Sequence, residues 1–364
     1  MKLYIAGGCK EHGRNCFFIE NKGKGILLDC GKMRGEETKY PQLSTEQIKK
    51  ARYLFLTHSH TAHAGALDWL YLNGFHGKVI LSMETFTQLK EKPKEYLILT
   101  PKSRRMLEWG IYVRCGRSGH CEGALWYLIT WNRKHIFFSG DYCEVSDVYP
   151  CDKVRNVTAD IAMVDCAYGD DQVSAIQSKE QLLKEITQNL CKKKRDVLLP
   201  VPKFGRGIEI MQDLLQEPDI PMVVEQELIS QYQKNTTLKR FKEVMAVTQP
   251  YAERMLQGPN VYVICDPQLK KVENRRFATD LLIKHGKIFF TGNIEKGSYS
   301  EMLYQCGAGS LQRYDAHQNL KEARALVEQN RFERVVLTQC KGDITNQIGQ
   351  SPYMNMKNGE EMLF

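Results

Sequence analysis

Short apolar runs alternate with amphipathic stretches along the first third of the chain. FFIE (17–20) and GILLDCG (25–31) read as strands, and RYLFLT (52–57) as a buried strand that delivers the chain to His58. STEQIKKA (44–51) reads as a helix, with Ser44 as N-cap and Glu46 and Gln47 in its first turn. HAGALDWLYLNG (63–74) reads as a helix stopped by Gly74, and WYLITW and HIFFSGD as two further strands. This β-rich opening with interspersed helices predicts a layered α/β domain.

After residue 165 the rhythm changes. Residues 178–194 form an amphipathic helical pattern with basic residues in its last turn, 196–202 a strand, 206–216 a helix and 221–225 a strand. This βαβ-like order predicts a second domain. Near the end, 320–329 is helical and 334–339 a strand. The predicted organisation is a first domain over 1–165, an inserted one over 166–310, and a return to the first over 311–364.

The chain has 364 residues, enough for two cores. No apolar run approaches the roughly 18 residues of a membrane helix. The opening MKLYIAGGCKEHGRNCFFIE lacks the basic and apolar regions of a secretory leader, so a cytoplasmic protein is expected. Its 12 cysteines are scattered without a CxxC pair and read as reduced thiols. The formal net charge of +8 is a mild excess that permits a polyanionic substrate. Residues 166–310 carry 20 Lys+Arg against 18 Asp+Glu, too even to mark a nucleic-acid surface by charge alone. Lys102, Arg104, Arg105, Arg114 and Arg117 form a basic stretch open to two readings, phosphate contact or solvated face.

His58, His60 and His63 fall within six residues, directly after a buried strand. A loop in that place aims several imidazoles at one point, and neutral imidazole is a common metal ligand. His12, His76, His135 and His285 stand in no such cluster and read as ordinary surface or core histidines.

LTHSHTAHAGAL, carrying these histidines, resembles the HxHxDH signature of the metallo-β-lactamase superfamily. Asp29 in LLDCG, His120 in SGHCEGA and Asp141 in FFSGDY match its other motifs in order. GGCKEHGRNCFFIE, DCAYGD (165–170), PVPKFGRGIEIMQDL (200–214), TGNIEKGSYSEML (291–303) and YDAHQNLKEAR (314–324) resemble the segments of β-CASP nucleases, the group of ribonuclease J and the pre-mRNA cleavage endonuclease. The resemblance implies an αββα four-layer sandwich with an inserted α/β β-CASP cap. It also implies metal-dependent phosphodiester hydrolysis, with RNA before DNA because His317 matches a histidine of RNA-processing members.

By the resemblance, His58, His60, His120 and Asp141 hold one zinc. Ala62, His63, Asp141 and Gln339 stand where the ligands of a second would be. Alanine has no donor atom, and a glutamine carbonyl is a poor zinc ligand. One firmly held zinc and a weak or empty second site are therefore expected. Asp29, Asp141 and His317 are the catalytic candidates, and Asp165, Lys203 and Arg206 the substrate-binding ones. Two duties are open for His317, acid to the leaving oxygen or cap of the helix that begins near Asn319. Three functional readings stand side by side: a one-metal phosphodiesterase with weak activity, an inactive nucleic-acid-binding relative, and a two-metal nuclease inactivated at Ala62.

Overall fold

The computed structural model describes residues 1–364 except 34, 36, 218–219, 235–245, 248–258 and 341–350. The described chain forms two compact units. One comprises 1–144, 150–172 and 317–364, the other 145–149 and 173–316. The changeovers at 172/173 and 316/317 lie a little beyond the boundaries expected at 165 and 310.

In the first unit, β1 (Lys2–Gly7), β2 (Cys16–Asn21), β3 (Lys24–Leu28), β4 (Ala51–Phe55), β5 (Lys78–Leu81) and β6 (Tyr96–Ile98) run side by side in one sheet. A second sheet holds β7 (Arg104–Met106), β8 (Tyr112–Arg117), β9 (Leu125–Trp131) and β10 (Lys134–Phe138). β11 (Thr158–Ala159) lies outside it, and β12 (Ile161–Asp165) runs parallel to β10.

The alternation along each strand builds the layers. Phe17, Ile19, Phe55 and Ile80 of the first sheet meet Val113, Tyr127, Ile129, Phe138 and Met163 of the second in one buried core. The intervening Phe18, Leu27, Leu54 and Val79 face the opposite way. They pack on Ile48 of α1 (Thr45–Lys50) and on Leu67 and Leu70 beyond α2 (Thr61–Ala64), in α3 (Leu67–Leu72). Sheets buried on both faces explain why these strands read as near-continuous apolar runs.

The second unit has its own sheet of β13 (Val197–Pro200), β14 (Met222–Glu225), β15 (Ala246–Val247), β16 (Val261–Ile264), β17 (Lys287–Phe290) and β18 (Gly309–Leu311). Its order is β15-β14-β16-β13-β17-β18, with every pairing parallel. Helices cover it, among them α4 to α6 in our numbering: Ala175–Thr187 (α4), Arg206–Leu214 (α5) and Val272–Ile283 (α6). The chain then returns to the first unit through α7 (Leu320–Glu328), β19 (Arg331–Phe332), β20 (Val335–Thr338) and β21 (Glu361–Leu363). β20 lies parallel to β12, and β21 pairs with β1. Leu320, Ala323 and Leu326 of α7 cover the outer face of the second sheet through Phe137, Ala162 and Val164. Helix, sheet, sheet and helix stack as the expected αββα sandwich.

Candidate metal centre

The loops that follow β3, β4, β8, β10, β12 and β20 bring the first unit's buried polar side chains together. Asp29, just after β3, is wholly buried and takes a left-handed backbone with φ of 55°. It accepts from the Thr57 amide at 2.7 Å and from Thr57 Oγ1 at 2.8 Å. Since Thr57 Oγ1 spends its proton on Asp29, it accepts from His58 Nδ1 at 3.0 Å, which leaves His58 Nε2 with a free lone pair. The loop after β3 also stitches down the histidine turn: Cys30 N bonds His63 O at 2.8 Å and Lys32 N bonds Thr61 O at 2.8 Å.

Four donor atoms then converge. His58 Nε2 and His120 Nε2 each stand 3.1 Å from His60 Nδ1, and each stands 3.3 Å from Asp141 Oδ2. Ligands about 2.0–2.1 Å from a tetrahedral ion lie about 3.3 Å from one another, so these spacings match the edges of such a cradle. Burial lowers the pKa of His58 and, further, of His120, which favours the neutral ligating imidazole. Burial alone would raise Asp141, but His63, His317, His58 and His120 around it hold it well below its ordinary value as a carboxylate. The donor set fits a divalent metal ion.

The second group does not. Ala62 offers only its carbonyl, which accepts from Asn15 N at 2.8 Å. His63 has both nitrogens engaged, Nδ1 on Asp29 at 2.6 Å and Nε2 on Asp141 Oδ1 at 3.0 Å. Burial would lower its pKa, but the two carboxylates outweigh that and lift it to about 10. Gln339 turns its amide nitrogen, not its oxygen, to Asp141 Oδ1.

Beside the cradle, His317 Nδ1 lies 3.1 Å from Asp165 Oδ2 and 3.7 Å from Asp141 Oδ2. The sequence suggested Asp165 as a substrate contact. In the structure Asp165 is 0 % exposed, and its oxygens also accept from the amides of Tyr142 and Ala167. It is placed to orient His317. Asp29, suggested as catalytic, is buried and contacts Thr57 and His63. Nor does His317 cap the following helix. Asn319 and Glu322 do so reciprocally, each bond 3.0 Å long.

In the second unit, Arg206 Nη1 donates to the carbonyl of Thr291 at 2.8 Å and reaches that of Tyr314 at 3.4 Å, so it clamps backbone. Lys203 forms an ion pair with Glu227. In the basic stretch, Arg117 pairs with Asp152 at 2.9 Å and Arg114 lies over the Trp126 ring, whereas Arg104 and Arg105 are exposed on β7.

One site residue escaped the sequence reading. His12 sits 6.1 Å from the His317 ring and hydrogen-bonds the Gln339 carbonyl, and burial with His317 beside it pushes its pKa down to about 4. Its place in a glycine-rich loop carries no periodic signal. All 12 cysteines are free thiols.

Residues 10–106 match the metallo-β-lactamase superfamily. In this chain the αββα layers and the four-ligand cradle accord with that match. Among its relatives are three proteins of RNA metabolism by name. Cleavage and polyadenylation specificity factor 73 of Drosophila melanogaster is 23% identical over 71% of this chain and 44% of its own length. Transcription termination factor FttA of Lokiarchaeum sp. is 23% identical over 58% and 38%. Endoribonuclease ysh-1 of Neurospora crassa is 26% identical over 56% and 28%. The inserted α/β unit and these relatives accord with the likeness to β-CASP proteins. The chain spans less than half the length of these relatives. A crystal structure of a protein of unknown function from Enterococcus faecalis V583 covers 100% of the chain, and the chain 99% of it, with a TM-score of 0.65 at 12% identity, a likeness of fold.

Among the described residues, no helix is long and apolar enough to cross a membrane.

Proposed function

We propose that this chain is a metal-dependent phosphodiester hydrolase that holds one zinc through His58, His60, His120 and Asp141 and acts on RNA before DNA. A cation bound there supplies Lewis acidity beside the phosphoryl group. The protein's own share is to keep the His58 and His120 imidazoles neutral, hold Asp141 ionised, and present His317 as acid to the departing oxygen. The observation that carries the reading is the His317–Asp165 pair standing at the edge of the cradle, where Asp165 Oδ2 accepts from His317 Nδ1 at 3.1 Å. The RNA-processing relatives support RNA as substrate. The lack of a second cation fits slow turnover, since loss of one electrostatic stabiliser costs about 10²–10³ in rate.

The test uses two substrates. A nitrophenyl phosphodiester has a good leaving group and needs little protonation, whereas RNA releases a poor one. His317→Ala should slow RNA cleavage by about 10²–10⁴-fold while sparing nitrophenyl release, with zinc content unchanged. Equal losses on both substrates would assign His317 a structural role. Absence of hydrolysis in the zinc-loaded wild type, with RNA still bound, would favour the non-catalytic relative.

A further inference from the structure

We infer that Gln339 is a positioning residue for the remaining metal site rather than a lapsed ligand: its side-chain amide, opposite His63, holds the Asp141 carboxylate so that Oδ2 faces the three histidines. The inference rests on the reading that His58, His60, His120 and Asp141 take a divalent cation.

The two oxygens of Asp141 have different duties. Oδ2 completes the cradle, 3.3 Å from His58 Nε2 and from His120 Nε2. Oδ1 takes no part in it. It accepts from Gln339 Nε2 and lies 3.0 Å from His63 Nε2. A carboxylate only accepts, so the amide must present its NH₂ group to it. That polarity is the reverse of metal ligation, in which Gln339 would turn its oxygen to a cation.

Gln339 is itself firmly held. Its amide N donates to Gly8 O at 2.7 Å, its carbonyl accepts from His12, and the residue is buried. Its φ is 60°, in the left-handed region, a conformation that costs a non-glycine residue of order 1–3 kcal/mol. Glycine would sit there freely, whereas glutamine accepts that strain and places its amide on Asp141. On the other side, His63 is fixed by Asp29 at 2.6 Å. The carboxylate therefore hangs between two anchored donors. Without them its terminal torsion is broad, and Oδ2 leaves the cradle for part of the time.

Partners of this kind typically govern metal affinity by about 10–100-fold. Zinc affinity is measured by chelator competition on metal-free full-length protein. Gln339→Leu, which removes the donor, should weaken zinc binding about 10–100-fold, and Gln339→His, which keeps an N–H, should recover most of the loss. Circular dichroism of the metal-free proteins checks folding, and Gln339→Met serves if the leucine variant does not fold. Wild-type affinity in the folded leucine or methionine variant overturns the inference. So does a second tightly held zinc in the wild type that the leucine variant lacks, since Gln339 would then be a ligand. A wild type that binds no zinc would instead overturn the metal reading on which the inference stands.

Discussion

Glu209, on the helix Arg206–Leu214, is 4 % exposed and accepts a hydrogen bond from Ser146 Oγ. Burial is the main cause that raises its carboxyl from 4.5 to about 7, with Asp213 adding to it and Ser146, Lys179 and Arg206 opposing. The folded chain holds this proton more tightly than the unfolded one. Its contribution is fully present below about pH 4.5 and is lost as pH rises through 7, an effect bounded on the order of 3 kcal/mol. Glu209→Gln keeps an acceptor for Ser146 and cannot ionise. Denaturant midpoints at pH 5 and pH 8 should therefore differ less in the variant than in the wild type, with the variant more stable at pH 8. An unchanged pH difference would refute this. Residue by residue, the site's histidines were legible because His58, His60 and His63 crowd one loop. Asn15, Thr57 and His12 were not, because their roles arise from hydrogen bonds between segments distant in sequence.

At the scale of elements, the N-cap expected at Ser44 is present, with Gln47 completing a capping box. The single helix expected over 63–74 is instead two, Thr61–Ala64 and Leu67–Leu72. Tertiary demand overrides the helical pattern: Ala66 N bonds Cys30 O at 3.0 Å, and the histidine turn must stay pinned to the loop after β3. The cap at Asn319 gives a further prediction. Asn319→Ala removes the acceptor of the Glu322 amide and should cost about 1 kcal/mol of stability, read from the denaturant midpoint. A loss under about 0.2 kcal/mol would mean that the neighbouring packing of Leu320 and Ala323 fixes this turn without it.

On the scale of the whole molecule, the motif order announced an insertion, whereas its edges follow packing that no motif records. Each unit has its own buried core. A cation held by the first unit stabilises that unit by mass action, since the unfolded chain lacks the cradle. Stripping metal with a chelator should therefore speed amide hydrogen exchange around 57–63, 118–121 and 139–142. Exchange in the strands Val197–Pro200 and Val261–Ile264 should be unaffected. Uniform acceleration across both units would show that metal stabilises the chain as one cooperative body.

β20 lies in register beside β12, and Thr338 Oγ1 donates to the carbonyl of Val164, 174 residues earlier. This pairing has a consequence for synthesis on the ribosome. At about 5–20 residues per second, Asp141 leaves the peptidyl-transferase centre roughly 9–35 s before His317 does. For that interval the nascent chain carries the three clustered histidines, His120 and Asp141 but neither His317 nor the Gln339 amide. A message that breaks or stalls in this window yields a product with the histidine motif and without His317. The side chains around the cradle are thereby complete only once residue 339 has been added.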